Sequence, residues 1–227
     1  MPKTGSTRVD LEVHPLSMSN ISSNQIFAWI ERYAAHLAEE KDNLTQLDAA
    51  IGDADHGANM HRGFQAVLAK KADLQKTDIG AVLKGVAMTL ISTVGGASGA
   101  LYGTFFLQAS VSAGNRTELS PGEFGAALEK GLAGIVSRGK AAIGDKTMVD
   151  ALQPAVKAYK QAIESGQTLE QALSDAVRAA EEGLKSTVPL VARKGRASYL
   201  GERSAGHPDP GATSTVLLFR SAAETLR

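Results

Sequence analysis

An all-α fold, a single-domain barrel or bundle of eight antiparallel amphipathic helices, is what this sequence predicts, on three observations. Alanine is the commonest residue and aromatics make up only 5%, whereas strands favour aromatic and β-branched side chains. Three segments place a hydroxyl three positions before Glu or Gln, as a capping box requires: Ser22 with Gln25, Ser120 with Glu123, and Thr168 with Gln171. Apolar residues then recur at helical spacing, with Ile79, Val82, Leu83, Val86, Leu90 and Val94 on one face of the segment 77–94.

From the N-terminus, residues 1–20 carry Lys3 and Arg8 without a long apolar run or a small-residue cleavage pattern. They predict a flexible tail, not a signal peptide. Helices are expected at about 22–40, 57–72, 77–94, 100–113, 121–138, 149–164, 168–186 and 211–226, with no convincing alternating strand. The second of the three capping boxes is reinforced by Pro121 at the first helical position. Helices joined by short links bury their apolar stripes against antiparallel neighbours. Nothing divides the chain, because no repeat, low-complexity tract or Pro/Ser linker interrupts it, so 21–227 reads as one domain.

Charge and composition exclude several functions. Lys and Arg number 24 against 24 Asp and Glu, and a chain so balanced offers no basic stripe for a nucleic-acid backbone. The absence of Cys removes thiolate metal sites, Cys nucleophiles and redox thiols. No stretch is long and apolar enough to span a membrane, and the expected location is the cytoplasm. The helical period lapses in three places, 48–59, 92–99 and 193–211, where Gly, Asp, Arg and His gather. Function is expected there.

The first place holds Asp48, Asp53 and Asp55 within eight residues. Two such charges about 6 Å apart at an effective dielectric of 20 repel by roughly 3 kcal/mol, so something cationic should offset them. Hard oxygen donors without Cys suit Mg²⁺ or Mn²⁺. The pattern is not an EF-hand, because counted from Asp53 the sixth position is Ala58 and the twelfth Phe64. Zinc on Asp53, Asp55, His56 and His61 is an alternative, and so is a solvated loop in which Asp55 merely caps the next helix.

The second place, Ser92 to Gly99, ends one helix and starts another around Gly95 and Gly96, which suits an anion seat of backbone N–H groups. Gly134 to Ala141 approaches a phosphate-loop motif but ends in Ala where Ser or Thr should bind the metal. That segment also continues a helical pattern. Gly144-Asp145-Lys146-Thr147-Met148 forms a polar turn whose apolar end could flank a flat ring. The third place, Ala192 to Gly211, gathers Arg193, Lys194, Arg196 and Arg203, and arginine forks suit phosphate. Carboxylates for a metal, a glycine anion seat and an arginine loop are together the parts of a phosphoryl-transfer site.

Four motifs in order, Ile51 to Gly57, Val94 to Gly99, Gly144 to Met148 and Ala192 to Gly211, resemble those of the nucleotide-binding L subunit family of dihydroxyacetone kinases, from Ser22 to the C-terminus. The departure is the polar extension before Ser22. The resemblance implies a barrel of eight antiparallel helices, with Asp48, Asp53 and Asp55 binding two Mg²⁺. It implies that His56, Gly57, Ala58, Asn59, Ala97, Ser98, Gly139, Met148, Arg196, Asp209, Pro210 and Gly211 surround ADP or ATP; Arg196 is also the expected catalytic group, acting on transition-state charge. Partners implied are a K subunit, which holds dihydroxyacetone or a related short ketose covalently, and a phosphohistidine phosphocarrier of the sugar phosphotransferase system that recharges ADP in place. A homodimer stands as a further expectation. The alternatives are a subunit that exchanges free ATP, a metal-dependent phosphohydrolase, and a non-catalytic binding module.

Overall fold

A computed structural model describes residues 19–227, and the flexible tail expected over 1–20 lies outside the described residues except for Ser19 and Asn20. Ten α-helices occur among the described residues: α1 (Ser23–Glu39), α2 (Lys41–Ile51), α3 (His56–Leu68), α4 (Lys71–Leu74), α5 (Ile79–Thr93), α6 (Gly96–Ala113), α7 (Pro121–Gly139), α8 (Val149–Glu164), α9 (Leu169–Thr187) and α10 (Pro210–Thr225). Eight of them answer to the eight expected. The additions are α2 and α4, together with a 3₁₀ segment, Arg196–Ser204, inside the expected basic loop.

All three capping boxes form, at Ser22, Ser120 and Thr168, each satisfying backbone donors that a helix start would otherwise leave unpaired. The sequence showed no strand, yet a two-residue antiparallel pair exists, β1 (Ile21–Ser22) against β2 (Glu118–Leu119). It is too short to show alternation. Ser23 N also donates to Thr117 O at 2.9 Å, so the entry to α1 is pinned to the link before α7.

Eight helices close a ring. In the order α1, α3, α5, α6, α7, α8, α9, α10 and back to α1, each packs on the next. Short links make ring neighbours antiparallel, so alternate links fall on opposite rims. One rim carries the α2–α3, α5–α6, α7–α8 and α9–α10 links, which hold the acidic, glycine, Gly144–Met148 and basic segments singled out in the sequence. The other carries the α3–α5, α6–α7 and α8–α9 links, and there the Gln25 side chain donates to Arg227 O at 2.9 Å. The lumen is filled. All six apolar positions read from 77–94 are buried, and Trp29 stacks edge-on to Phe124 with centroids 5.6 Å apart while its indole N–H donates to Leu218 O at 2.9 Å.

Helix α2 lies outside the ring against α3, α10 and the 3₁₀ segment. It sits close to α3 because Gly57 has no side chain: a Cβ there would lie 2.0 Å from Lys41 O and 2.6 Å from Thr45 Oγ1. Gly57→Ala is therefore expected to destabilise the protein by about 1–3 kcal/mol, the usual cost of overpacking. A urea titration checks it, and an unchanged midpoint would mean that α2 can yield.

Candidate functional site

The carboxylate cluster is built by the turn between α2 and α3. Asp48 sits one turn before the end of α2, buried, and its Oδ2 accepts from Asp55 N at 2.8 Å and His56 N at 3.1 Å. It thereby does for α3 what an N-cap residue does. Asp55 occupies the N-cap position and makes no side-chain cap bond, so its carboxylate is released from the structural task the sequence allowed for it. Between the two outer acids Ala54 takes φ +62°, a left-handed conformation that costs a non-glycine residue about 1–2 kcal/mol. One oxygen each of Asp48, Asp53 and Asp55 then lie within 4.8 Å of one another. Three hard, anionic oxygens so placed fit Mg²⁺ or Mn²⁺.

Zinc on His56 does not fit, because both ring nitrogens are engaged. Nδ1 lies 2.9 Å from Ser98 Oγ and Nε2 lies 2.9 Å from Ser214 Oγ. Burial lowers the imidazole pKa to about 4 against the pull of Asp48, so the ring is neutral at pH 7. Ser214 Oγ donates to Gly211 O at 3.0 Å; it must then accept from Nε2–H, which leaves Nδ1 to accept the Ser98 hydroxyl. Tyr102 OH joins the same Ser214 oxygen at 2.8 Å. This buried chain ties α3, α6 and α10 together behind the cavity.

Three further segments converge on the carboxylates. Gly95 caps α6 without a side-chain bond, Gly96 takes φ +65°, and a Cβ on Gly96 would meet Asp55 Oδ2 at 4.0 Å. Ala97 and Ser98 follow in the first turn of α6, where N–H groups lack intrahelical partners and the helix dipole favours an anion. The α7–α8 turn is held by Asp150, whose carboxylate accepts from Gly144 N at 2.6 Å and Thr147 N at 2.7 Å, and it presents Met148. From the basic loop, Arg196 Nε reaches Asp53 Oδ2 at 3.0 Å.

Asp209 caps α10, accepting from Ala212 N at 2.7 Å. Burial pushes its carboxyl up to about 7, opposed by the Ala212 hydrogen bond and reinforced by the charge of Asp150. A carboxyl raised in this way contributes stability that is full below its ordinary value of 3.8 and is lost as pH rises through about 7. Asn caps a helix as well as Asp and cannot ionise. Asp209→Asn without ligand is therefore expected to melt above the wild type at pH 8, with the gap closing at pH 5. His56 titrates in both proteins and drops out. Thermal melts at the two pH values check this, and a gap of equal size at both would contradict it.

One open cavity at the rim gathers these groups. Asp48, Asp53, Asp55, His56, Ala97, Ser98, Met148, Arg196, Asp209, Pro210 and Gly211 line it. Gly57, Ala58, Asn59 and Gly139 do not. Gly57 faces α2, Ala58 is exposed, and Gly139 ends α7 near Leu101. Asn59 is buried beside the glycine turn, with its Oδ1 accepting from Arg62 Nη2 at 2.5 Å. Reasoning from sequence alone missed Tyr102, Lys146 and Lys194 as lining residues. The Gly144–Met148 motif contained Lys146, and the basic loop contained Lys194; Tyr102 left no signal beyond being an aromatic inside a helix.

Known proteins share this chain's sequence and fold. A family model for the DAK2 domain matches residues 50–224. The chain is 46% identical over 204 residues to the ADP-binding subunit DhaL of the PEP-dependent dihydroxyacetone kinase of Escherichia coli (strain K12), covering 90% of this chain and 97% of that protein. It is 39% identical over 198 residues to the ADP-binding subunit DhaL of the PTS-dependent dihydroxyacetone kinase of Lactococcus lactis, covering 87% and 95%. The crystal structure of the dihydroxyacetone kinase from C. freundii in complex with AMP-PNP and Mg²⁺ superposes with a TM-score of 0.67 at 26% identity. The match takes in 99% of this chain and 38% of that one. Among the described residues no helix is long and apolar enough to cross a membrane.

Proposed function

This chain belongs to the DAK2-domain family of dihydroxyacetone kinase L subunits, and from that membership we propose that it is the nucleotide-binding subunit of such a kinase. Residues 21–227 form the nucleotide-binding barrel. The chain transfers a phosphoryl group from bound nucleotide to dihydroxyacetone, or a related short ketose, held on a separate K subunit in the cytoplasm. ADP stays bound and is recharged in place by a phosphohistidine carrier of the phosphotransferase system. The observation that carries this reading is the meeting of three carboxylates, a glycine turn at a helix start and Arg196 in one cavity.

Asp48, Asp53 and Asp55 would hold two Mg²⁺, which when bound supply charge neutralisation and orientation for phosphate oxygens. The chain's own residues do the rest. The first-turn N–H groups of α6 offer donors to phosphate; Met148 and Pro210 flank the base; Asp209 keeps the start of α10 in place. Arg196 sits on the open side, where its planar fork can follow charge as it develops on the transferred group.

Mixing the chain with its K partner and dihydroxyacetone, and offering ATP or the phosphocarrier as separate donors, tests the proposal. Turnover with the carrier at substoichiometric ADP is the expected result. Turnover only with excess ATP would show an ATP-exchanging subunit. Rapid release of phosphate from ATP without a partner would show a phosphohydrolase, and no transfer from either donor would reduce the chain to a binding module.

A further inference from the structure

The loop that carries Arg196 is tied at its neck by a single buried ammonium. Lys146 is 1% exposed, and its Nζ donates to His207 O at 2.5 Å, Thr187 O at 2.6 Å and Val188 O at 3.5 Å. An ammonium has three hydrogens, and here they meet three carbonyls. Thr187 and Val188 end α9, where carbonyls lack intrahelical donors and the helix dipole favours a cation. His207 stands at the other foot of the loop. One charge therefore grips both feet of the segment 188–207.

Neutral bonds close the same neck. Gly206 N donates to Val188 O at 2.8 Å, and Arg193 N to Asp145 O at 3.1 Å. The lysine itself is held in place from behind. Its φ of +62° is a conformation an unbranched residue adopts only under constraint, and the Asp150 carboxylate supplies that constraint by gripping the backbone on either side.

Building on the phosphotransfer reading above, we propose that Lys146 is a positioning residue for phosphoryl transfer: its ammonium fixes the neck of the 188–207 loop and so the place of Arg196 over the carboxylates. Methionine at this position fills the same space and leaves three buried carbonyls without their charged donor, which loosens the feet of the loop. Arginine keeps the charge and several donors.

Limited trypsin digestion reads the loop directly, because Arg193, Lys194, Arg196 and Arg203 lie within it. Without nucleotide, Lys146→Met is expected to be cut in the loop at least tenfold faster than wild type, with cleavage elsewhere and the helical signal unchanged. Its kcat with the K partner should fall at least tenfold while KM for the ketose stays put, and Lys146→Arg should recover part of both losses. Loop cleavage at the wild-type rate would overturn the proposal, as would a kcat that stays at the wild-type value while the loop is loose. A wild-type chain that transfers nothing would instead overturn the phosphotransfer reading, and the digestion would still decide whether Lys146 fastens the loop. Should Lys146→Met not fold, amine acetylation of the wild type decides: Lys146 should be the slowest lysine to react, at the rate at which trypsin opens the loop. Labelling as fast as surface lysines would sink the clamp.

Discussion

Asp53→Asn is expected to weaken binding of ADP with Mg²⁺ by about 100-fold or more, since loss of even an outer partner of a metal ligand costs about 10–100-fold. The fold should survive. Asp53 is exposed, and among the described residues its side chain pairs with Arg196, in an ion pair whose arginine side chain is 67% exposed; pairs of that kind contribute about 0–1 kcal/mol. Calorimetric titration with ADP and Mg²⁺, beside a urea titration of the same variant, separates the two effects. Equal loss of binding and of stability would show that the turn depends on this carboxylate for its shape. Asp48 could not serve for that experiment, because it also accepts the two backbone N–H groups that start α3.

Arg196→Ala is expected to slow phosphoryl transfer by about 100–1000-fold, the usual effect of removing one donor aimed at developing charge, while the affinity for ADP changes far less. Arg196 meets Asp53 through Nε, which leaves its two terminal nitrogens without a hydrogen bond among the described residues. A guanidinium held at one corner and otherwise uncommitted can serve a transition state without strongly gripping the ground state. Single-turnover transfer at saturating K partner, set beside the ADP titration, gives the split. A variant that loses affinity and rate in equal measure would make Arg196 a clamp on bound nucleotide.

The ring was legible in the sequence because its helices announce themselves. Capping boxes at Ser22, Ser120 and Thr168 are local devices, and the stripe from Ile79 to Val94 is uninterrupted, so both survive without tertiary information. Helix α2 failed for a functional reason. Its buried positions are Leu44, Asp48 and Ile51, so a carboxylate stands where an apolar residue should complete the stripe, and Glu40 provides no side-chain cap bond to mark the start. The 3₁₀ segment broke the period for a different cause: Gly201, at φ 56° and ψ −133°, splits it into two pieces.

Within the site, the acids, the glycines and the arginine could be read from residue type and spacing. The roles of Tyr102, Ser214 and Lys146 could not. Each depends on a partner far along the chain, such as Ser214 bonding His56 158 residues away and Lys146 bonding His207 61 residues away. Asp55 shows the reverse case. An acid just before a helix reads as its cap, and only the fold reveals that Asp48 has taken over that duty.

Because the rim that holds the Gln25–Arg227 contact faces away from the cavity, the architecture tolerates rewiring. A circularly permuted chain, with Arg227 spliced to Ile21 and new ends opened in the α8–α9 connection at 165–168, would keep every cavity segment covalently intact. An extra domain grafted at Arg227 would hang from the far side, leaving the mouth accessible to a second protein. The barrel is in that sense a cartridge, whose chemistry stays at one face whatever is attached to the other.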